Sequence, residues 1–164
     1  MRLPAPRPIR PDDDVSAFDS GNSALDDWLR ARALRNENDD ASRTYVVTDG
    51  PRVVAYYSLA AAAVPHAAAT GRSRRNMPDP IPAMLLARLA VDVGHQGQQL
   101  GANLLRDAVR RTLAAADIVG IRVLLVHAAD ERARQFYEHF DFEPSPTDAL
   151  HLMLLLKDAR AAGL

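Results

Sequence analysis

The sequence contains no cysteine and no long apolar run, and each of these absences excludes a class of protein. It also contains a single lysine. Without cysteine there are no disulfides, no thiolate metal sites and no cysteine nucleophile. No uninterrupted apolar stretch reaches the roughly 18 residues that a membrane-spanning helix needs. The opening segment, MRLPAPRPIRP, lacks the apolar centre of a secretion signal. We therefore expect a cytoplasmic protein with no membrane association.

The charges balance, and the basic ones are almost all arginine. Twenty basic and 21 acidic residues give a net charge of -1, so no global field draws the protein to nucleic acid or membrane. Nineteen of the 20 basic residues are arginine, and Lys157 is the exception. Coding bias produces such a composition, and so does phosphate recognition, for which the guanidinium fork is suited. The 164 residues include 29 alanines and provide one hydrophobic core rather than two, which predicts a single domain over residues 1–164.

Apolar periodicity and turn signals predict a mixed α/β chain. Ser23 followed by Asp26 resembles a capping box, and the helix that it starts should end near Arg35. Asp49-Gly50 is a strong hairpin signal, and residues 64–82 are predicted to form a long exposed loop. Two further helices are predicted after Gly97 and after Asp130. Strands are predicted at residues 43–48, 52–61, 83–93, 121–127 and 149–156. This order indicates the α/β fold class.

The turn between strand 83–93 and the following helix is the strongest candidate binding site. Gly94, Gly97 and Gly101 surround a helix start, where unpaired N–H groups and the helix dipole favour an anion. The turn matches neither a Walker A loop nor the G-x-G-x-x-G fingerprint. An ordinary strand–helix connection uses the same residues, so spacing alone leaves both interpretations open.

Longer segments resemble a known family. Residues 87–105, ARLAVDVGHQGQQLGANLL, resemble motif A of the GNAT superfamily of N-acetyltransferases, whose Gln/Arg-x-x-Gly-x-Gly/Ala loop binds the pyrophosphate of acetyl-CoA. Residues 127–142, HAADERARQFYEHFDF, resemble motif B with its Phe-Tyr pair. The segments FDSGNSALDDWL, ASRTYVV, VVAYYSLA, NMPDPIPAMLLARLAVD and SPTDALHLML narrow the resemblance to the acetyltransferase toxins of bacterial toxin–antitoxin pairs.

The resemblance implies a fold and an activity. The fold would be a central mixed, mostly antiparallel sheet flanked by helices. The activity would be transfer of an acetyl group from acetyl-CoA, without a metal, to the α-amino group of aminoacyl-tRNA. A ribbon-helix-helix antitoxin would be the protein partner, and a homodimer is left open. The alternatives are a GNAT enzyme for a protein or small-molecule amine, and a catalytically impaired binding module.

The resemblance also implies roles for individual residues. Tyr137 matches the tyrosine that protonates the departing CoA thiolate. The backbone of Leu89, Ala90 and Val91 matches the strand that pairs with the pantetheine amides. The pyrophosphate would lie over the loop and helix start formed by Gln96, Gly97, Gln98, Gln99, Leu100, Gly101 and Ala102.

Two residues depart from the family pattern. Gln99 stands where the family has its central glycine, which lets phosphate oxygens reach the backbone and supplies a dihedral angle that only glycine adopts at low cost. Its side chain either blocks the pyrophosphate or swings outward and adds an amide donor. Asp141 stands where the family usually has glycine, before Phe142.

The remaining candidates concern the acceptor and the proton. Arg72, Arg74, Arg75 and Arg88 are predicted to form a basic cluster, offset by Asp79 alone, that contacts tRNA phosphates; a solvated surface loop is the alternative. The five histidines show no metal-ligand spacing, and His127 is a weaker candidate for the cleft. Asp92 is expected to face solvent or to cap the turn. An α-amino group titrates near pH 8, so the reaction needs no strong base.

Overall fold

The computed structural model describes residues 2–163, which form both helices and strands. Two 3-10 turns, His66–Ala68 and Val93–His95, lie between them. The helices and strands are β1 (Arg7–Pro8), α1 (Ser23–Ala31), α2 (Ala33–Asn38), β2 (Arg43–Asp49), β3 (Arg52–Val64), α3 (Gly71–Arg74), β4 (Ile81–Val91), α4 (Leu100–Ala116), β5 (Val123–His127), α5 (Glu131–His139), β6 (Glu143–Pro144), β7 (His151–Leu155) and α6 (Leu156–Ala161). No helix among these residues has the length and apolar character needed to cross a bilayer.

The seven strands that residues 2–163 form belong to one mixed sheet in the order β1-β2-β3-β4-β5-β7-β6. β2 and β3 form the predicted antiparallel hairpin, whose turn includes Gly50 at a φ of +62°. β4 and β5 are parallel, and β7 pairs antiparallel with both β5 and β6. The parallel register places Leu86 opposite Val126, and β5 ends at His127, whereas β4 continues to Val91. Residues 88–91 therefore extend beyond the end of β5.

The chain packs into two compact units. The first comprises residues 2–60 together with Ala87–Ala108, and its core is built around Phe18, Leu29, Val46 and Tyr56. The second comprises Ala61–Leu86 together with residues 109–163. Its core includes Val64, Ile81, Ala83, Val123, Leu125, Met153 and Leu155.

The first predicted helix differs from the expectation at both ends. Its N-cap is Asn22 rather than Ser23, because the Asn22 side chain accepts hydrogen bonds from the backbone of Ala24 (3.1 Å) and Leu25 (3.3 Å). Asp26 is buried and accepts from Ser20 instead of completing a capping box. The helix is interrupted at Arg32, whose backbone (φ -123°, ψ -29°) separates α1 from α2.

Residues 64–82 are only partly a loop. β3 continues to Val64, β4 begins at Ile81, and α3 lies between them. α3 begins where the Thr70 hydroxyl accepts a hydrogen bond from the Ser73 backbone N–H (3.3 Å). The prediction of a long exposed loop over residues 64–82 was wrong for α3, because a four-residue helix is too short to produce an apolar period.

Candidate active site

Asp92 caps the turn that follows β4. Its buried carboxylate accepts hydrogen bonds from the backbone N–H groups of Gly94 (3.0 Å) and Asp19 (3.1 Å) and from the guanidinium of Arg52 (3.1 Å). Burial raises the pKa of Asp92, but these donors outweigh it and hold the pKa below its ordinary value. Asp92 is therefore ionised at neutral pH with its oxygens engaged, as a structural cap rather than a proton acceptor.

The segment before α1 holds the same turn. The Val93 N–H donates to the carbonyl of Asp19 (2.7 Å). The Gln96 side-chain amide donates to the carbonyls of Ser20 and Val91, both at 2.9 Å. Gln96 was predicted as a cofactor contact, and its side chain joins the end of β4 to the chain preceding α1. Sequence spacing did not indicate the contribution of Asp19 and Ser20, although both belong to a segment that resembles the family.

The loop of residues 96–99 is exposed, and its backbone enters the left-handed region twice. Gly97 has a φ of +78°, with no atom within 4 Å of where a Cβ would lie. Gln99 has a φ of +62°, a conformation that costs an L-residue about 1–2 kcal/mol. Gln99 thus keeps the kind of backbone conformation that glycine adopts readily, and the residue is exposed.

The start of α4 offers unpaired backbone donors. The Asn103 N–H donates to the carbonyl of Gln99 (3.1 Å), so the N–H groups of Leu100, Gly101 and Ala102 precede the first i→i−4 hydrogen bond. These groups and the positive end of the helix dipole suit an anion such as a pyrophosphate. The Tyr57 hydroxyl fixes the helix by donating to Asp107 (2.5 Å).

The predicted pantetheine contacts lie at the end of β4. Ala90 is buried, whereas Leu89 and Val91 are half-buried. Because residues 88–91 extend beyond the end of β5, their main-chain N–H and C=O groups have no β5 residue opposite them. Such a strand edge can hydrogen bond to the amides of an extended ligand.

The second predicted motif is carried by α5. The Asp130 side chain caps this helix by accepting from the Ala133 N–H (2.8 Å), as predicted. Tyr137 is buried, with ring centroids of Phe136 at 5.2 Å and Phe142 at 5.5 Å. Burial raises the pKa of the Tyr137 phenol above its ordinary value. The group is therefore protonated at neutral pH and able to donate a proton.

Asp141 follows α5 in a second strained conformation. Its φ is +70°, the left-handed geometry in which helices commonly end and which glycine favours. The Asp141 N–H donates to Glu138 (3.0 Å), and the Phe142 N–H donates to the carbonyl of Tyr137 (3.2 Å). Both departures from the family's glycines, Gln99 and Asp141, thus occur at positive φ.

The four predicted tRNA-binding arginines differ in their partners. Arg72 forms a bidentate ion pair with Asp158, with both N–O distances at 2.7 Å, and lies 3.8 Å from Glu143. The expectation that Asp79 alone offsets the cluster was wrong, because Asp158 pairs with Arg72. The local sequence did not indicate this partner, since Asp158 lies 86 residues further along the chain. Arg74 and Arg75 are exposed. Arg88 lies over the ring of Trp28, at 4.1 Å from its centroid.

His127 is stacked on His151 with a centroid separation of 3.9 Å. Burial lowers the pKa of His127 below its ordinary value, and the neighbouring His151 contributes a smaller lowering. Within residues 2–163, no group of three or more histidine, aspartate or glutamate side chains is placed to hold a metal ion.

Residues 40–144 match the sequence profile of the acetyltransferase (GNAT) domain. The chain belongs to the GNAT acetyltransferase family. This result confirms the predicted family, the α/β fold class with its mixed sheet flanked by helices, and the enzyme class of acetyl-CoA-dependent N-acetyltransferase.

Individual GNAT relatives give a more specific comparison than the family profile does. A tRNA-acetylating toxin of Mycobacterium tuberculosis is 59% identical over 157 residues, which cover 96% of this chain and 95% of that protein. AtaT complexed with acetyl-methionyl-tRNAfMet superposes with a TM-score of 0.90 and 29% identity, covering 99% of this chain and 100% of that one. A tyrosine-to-phenylalanine mutant of AtaT, bound to acetyl-CoA and the C-terminus of the antitoxin AtaR, gives 0.83 and 28%, with 97% of each chain covered.

Proposed function

We propose that this GNAT enzyme transfers an acetyl group from acetyl-CoA to the α-amino group of aminoacyl-tRNA and so blocks translation as the toxin of a toxin–antitoxin pair. The observation that carries the proposal is 59% identity, over 96% of the chain, to a tRNA-acetylating toxin. The AtaT structures add an acetylated tRNA, acetyl-CoA and an antitoxin as ligands of a similar fold. The protein partner is a ribbon-helix-helix antitoxin. The site of action is the cytoplasm, where aminoacyl-tRNA is used.

In this proposal, acetyl-CoA binds through main-chain groups. Its pantetheine pairs with Leu89, Ala90 and Val91, and its pyrophosphate lies over the loop and the start of α4. The unpaired N–H groups of Leu100, Gly101 and Ala102 support this placement. Gln99 supports it too, because its φ of +62° preserves a glycine-like conformation and its side chain is exposed. The cofactor-binding residues are Leu89, Ala90, Val91, Gln96, Gly97, Gln98, Gln99, Leu100, Gly101 and Ala102.

The proposed reaction is a direct transfer. The neutral α-amine attacks the thioester carbonyl, the new C–N bond forms, and the C–S bond breaks. The Tyr137 phenol gives its proton to the departing CoA thiolate, the amine releases a proton to water, and water returns a proton to the Tyr137 phenolate. An α-amino group has a pKa near 8, which the adjacent ester lowers, so part of the substrate arrives neutral. Asp92, whose oxygens are engaged in the turn, is not needed as a base.

Arginine side chains supply the proposed tRNA contacts. Arg74 and Arg75 are exposed and, within residues 2–163, form no ion pair with a carboxylate. Arg72 exchanges Asp158 for a phosphate in this scheme, and Arg88 provides a fourth guanidinium. Neutralised phosphates contribute most of the affinity for a nucleic acid.

The test is acetyl transfer from labelled acetyl-CoA to an aminoacyl-tRNA, to the same tRNA after deacylation, and to a lysine-containing peptide. We expect label on the charged tRNA alone, recovered as N-acetyl amino acid after alkaline release. Labelling of the deacylated tRNA would place the acetyl group on the nucleic acid. Preference for the peptide would make this a protein acetyltransferase. Either result contradicts the proposal.

A further inference from the structure

Arg88 is held differently from the other arginines. Its side chain is half-buried over Trp28, and within residues 2–163 it has no hydrogen-bond acceptor and no carboxylate within ion-pair distance. Other half-buried arginines have polar partners: Arg7, Arg52 and Arg134 pair with carboxylates, and Arg122 donates to two carbonyls.

Trp28 provides a rigid support for this guanidinium. Its ring stacks nearly parallel to that of Tyr56, at 6.0 Å and 10°. Tyr56 is fully buried, its hydroxyl donates to the carbonyl of Leu25 (2.6 Å), and Phe18 packs edge-on against it at 5.6 Å. These contacts hold the indole in place, and the guanidinium carbon of Arg88 lies 4.1 Å from its centroid, within the range of a cation–π contact.

The charge of Arg88 is partly desolvated. Burial lowers the pKa of Arg88 below its ordinary value. Removing a guanidinium from water without an acceptor is unfavourable. Its nitrogen atoms are not among the fully buried polar atoms that lack a partner, so they remain accessible to solvent. A planar, preorganised fork without a protein acceptor matches an oxyanion that binds through two oxygens.

We propose that Arg88, supported by Trp28, binds a phosphate group of the tRNA acceptor. The inference rests on the proposed function and assigns a phosphate subsite to one guanidinium–indole pair. Arg88 immediately precedes residues 89–91, so a phosphate bound here lies beside the proposed pantetheine strand. Acetyl-CoA also carries phosphates, and the experiment distinguishes these two sources.

Trp28 is the only tryptophan in the chain, so its fluorescence reports directly on this pair. We would titrate wild type, Arg88→Gln and Arg88→Lys with deacylated tRNA, CoA and inorganic phosphate, at several salt concentrations. Arg160→Gln is the matched control, because it removes the same charge from an exposed side chain paired with Asp117. Thermal unfolding of each variant reports its folding. Binding of deacylated tRNA requires no acetylation, so this readout is independent of the proposed activity.

We expect tRNA to change the Trp28 emission of wild type. Arg88→Gln should weaken tRNA binding by roughly ten- to a hundred-fold, as for a lost charge-assisted contact, and should lower the salt slope by about 0.7–0.9. Arg88→Lys should keep the slope and lose part of the affinity, since it retains charge without the planar fork. Arg160→Gln and CoA binding should not change.

A loss confined to CoA would retain the phosphate subsite and assign it to the cofactor, overturning the tRNA assignment. Unchanged affinity and salt slope for tRNA in Arg88→Gln would overturn the subsite itself. An equal loss of tRNA and CoA binding would also overturn it, because the change would then not be specific to one phosphate. Acetylation of aminoacyl-tRNA by an Arg88→Gln variant with normal tRNA affinity would leave the proposed function intact while the inference fails.

Discussion

At the scale of single residues, Gln99 in place of glycine has two effects, one steric and one on the backbone, and the structure allows them to be considered separately. A side chain at this position adds volume next to the phosphate loop, and its Cβ also adds a cost at positive φ. The structure shows the dihedral, +62°, and an exposed side chain. Asp141 has the same kind of dihedral, +70°, outside the phosphate loop. A glycine substitution at Asp141 therefore tests the cost of the positive φ alone, without any effect on the phosphate loop.

We predict that Gln99→Gly stabilises the protein by about 0.5–1 kcal/mol. Removing the Cβ relieves about 1–2 kcal/mol at positive φ, and the more flexible unfolded chain returns about 0.4–1 kcal/mol. Gln99→Ala keeps the Cβ and should leave stability nearly unchanged, while Asp141→Gly should show a similar gain to Gln99→Gly. Urea unfolding measures all three, and a Gly variant less stable than wild type would contradict the argument.

The same variants test whether the Gln99 side chain obstructs acetyl-CoA. Because this side chain is exposed, we expect Gln99→Ala to bind acetyl-CoA as wild type does, within about twofold, in calorimetry. Asp141→Gly should bind unchanged, since it lies outside the phosphate loop. Tighter binding by both Gln99→Ala and Gln99→Gly would instead show that the side chain crowds the pyrophosphate.

For Tyr137 we predict that Tyr137→Phe retains the fold and the affinity for acetyl-CoA but loses turnover by about 10²–10⁴-fold. The ring contacts with Phe136 and Phe142 survive, because only a hydroxyl is removed. Steady-state acetylation of aminoacyl-tRNA gives the rate, and calorimetry gives the affinity. Turnover within threefold of wild type would remove Tyr137 from the role of proton donor.

At the scale of elements, the turn between β4 and α4 depends on a buried carboxylate. Asp92 joins the residues before α1 to this turn, and its pKa is lower in the folded protein than in the unfolded chain. Its ionisation therefore stabilises the fold above the unfolded pKa of about 3.9, and this contribution is lost as the pH falls through the folded pKa.

We predict that Asp92→Asn is less stable than wild type by about 1–3 kcal/mol at neutral pH, because three donors lose a charged acceptor. The difference should be constant above about pH 5 and should shrink as the pH falls below the unfolded pKa of about 3.9 and through the folded pKa. Urea unfolding across this range measures it. Asp117→Asn, at an exposed pair with Arg160, should differ little from wild type at any pH. A difference that grows on acidification would refute the role assigned to Asp92.

The elements also show what the sequence could and could not predict. Turn signals identified the hairpin, apolar runs identified the strands β4, β5 and β7, and apolar periodicity identified the helices α4 and α5. These patterns missed β1, α3, β6 and α6, since elements of two to six residues produce no period. The predicted N-cap, Ser23, is one residue away from the observed N-cap, Asn22, because only geometry determines which side chain reaches the N–H groups. The pairing of Arg72 with Asp158 spans 86 residues, and local sequence patterns do not report such contacts.

At the scale of the whole molecule, three elements continue from one compact unit into the other. β3 passes the boundary after Ala60, β4 passes it after Leu86, and α4 passes it after Ala108. Loss of order in one unit therefore interrupts two strands and a helix that also belong to the other. The single domain over residues 1–164, which the composition predicts, remains a prediction. Its consequence, given that these three elements are continuous, is that the two units unfold cooperatively.

We predict that both units unfold in a single transition. Trp28 is the only tryptophan and lies in the first unit, so its fluorescence follows that unit, whereas far-UV circular dichroism also records α5, β5 and β7 of the second. The two signals should give the same urea midpoint and the same slope. Saturating acetyl-CoA should move both midpoints upward together, because a ligand bound only to the native state stabilises the whole cooperative unit. Two domains would separate the signals: the fluorescence and dichroism midpoints would differ, and acetyl-CoA would shift one more than the other.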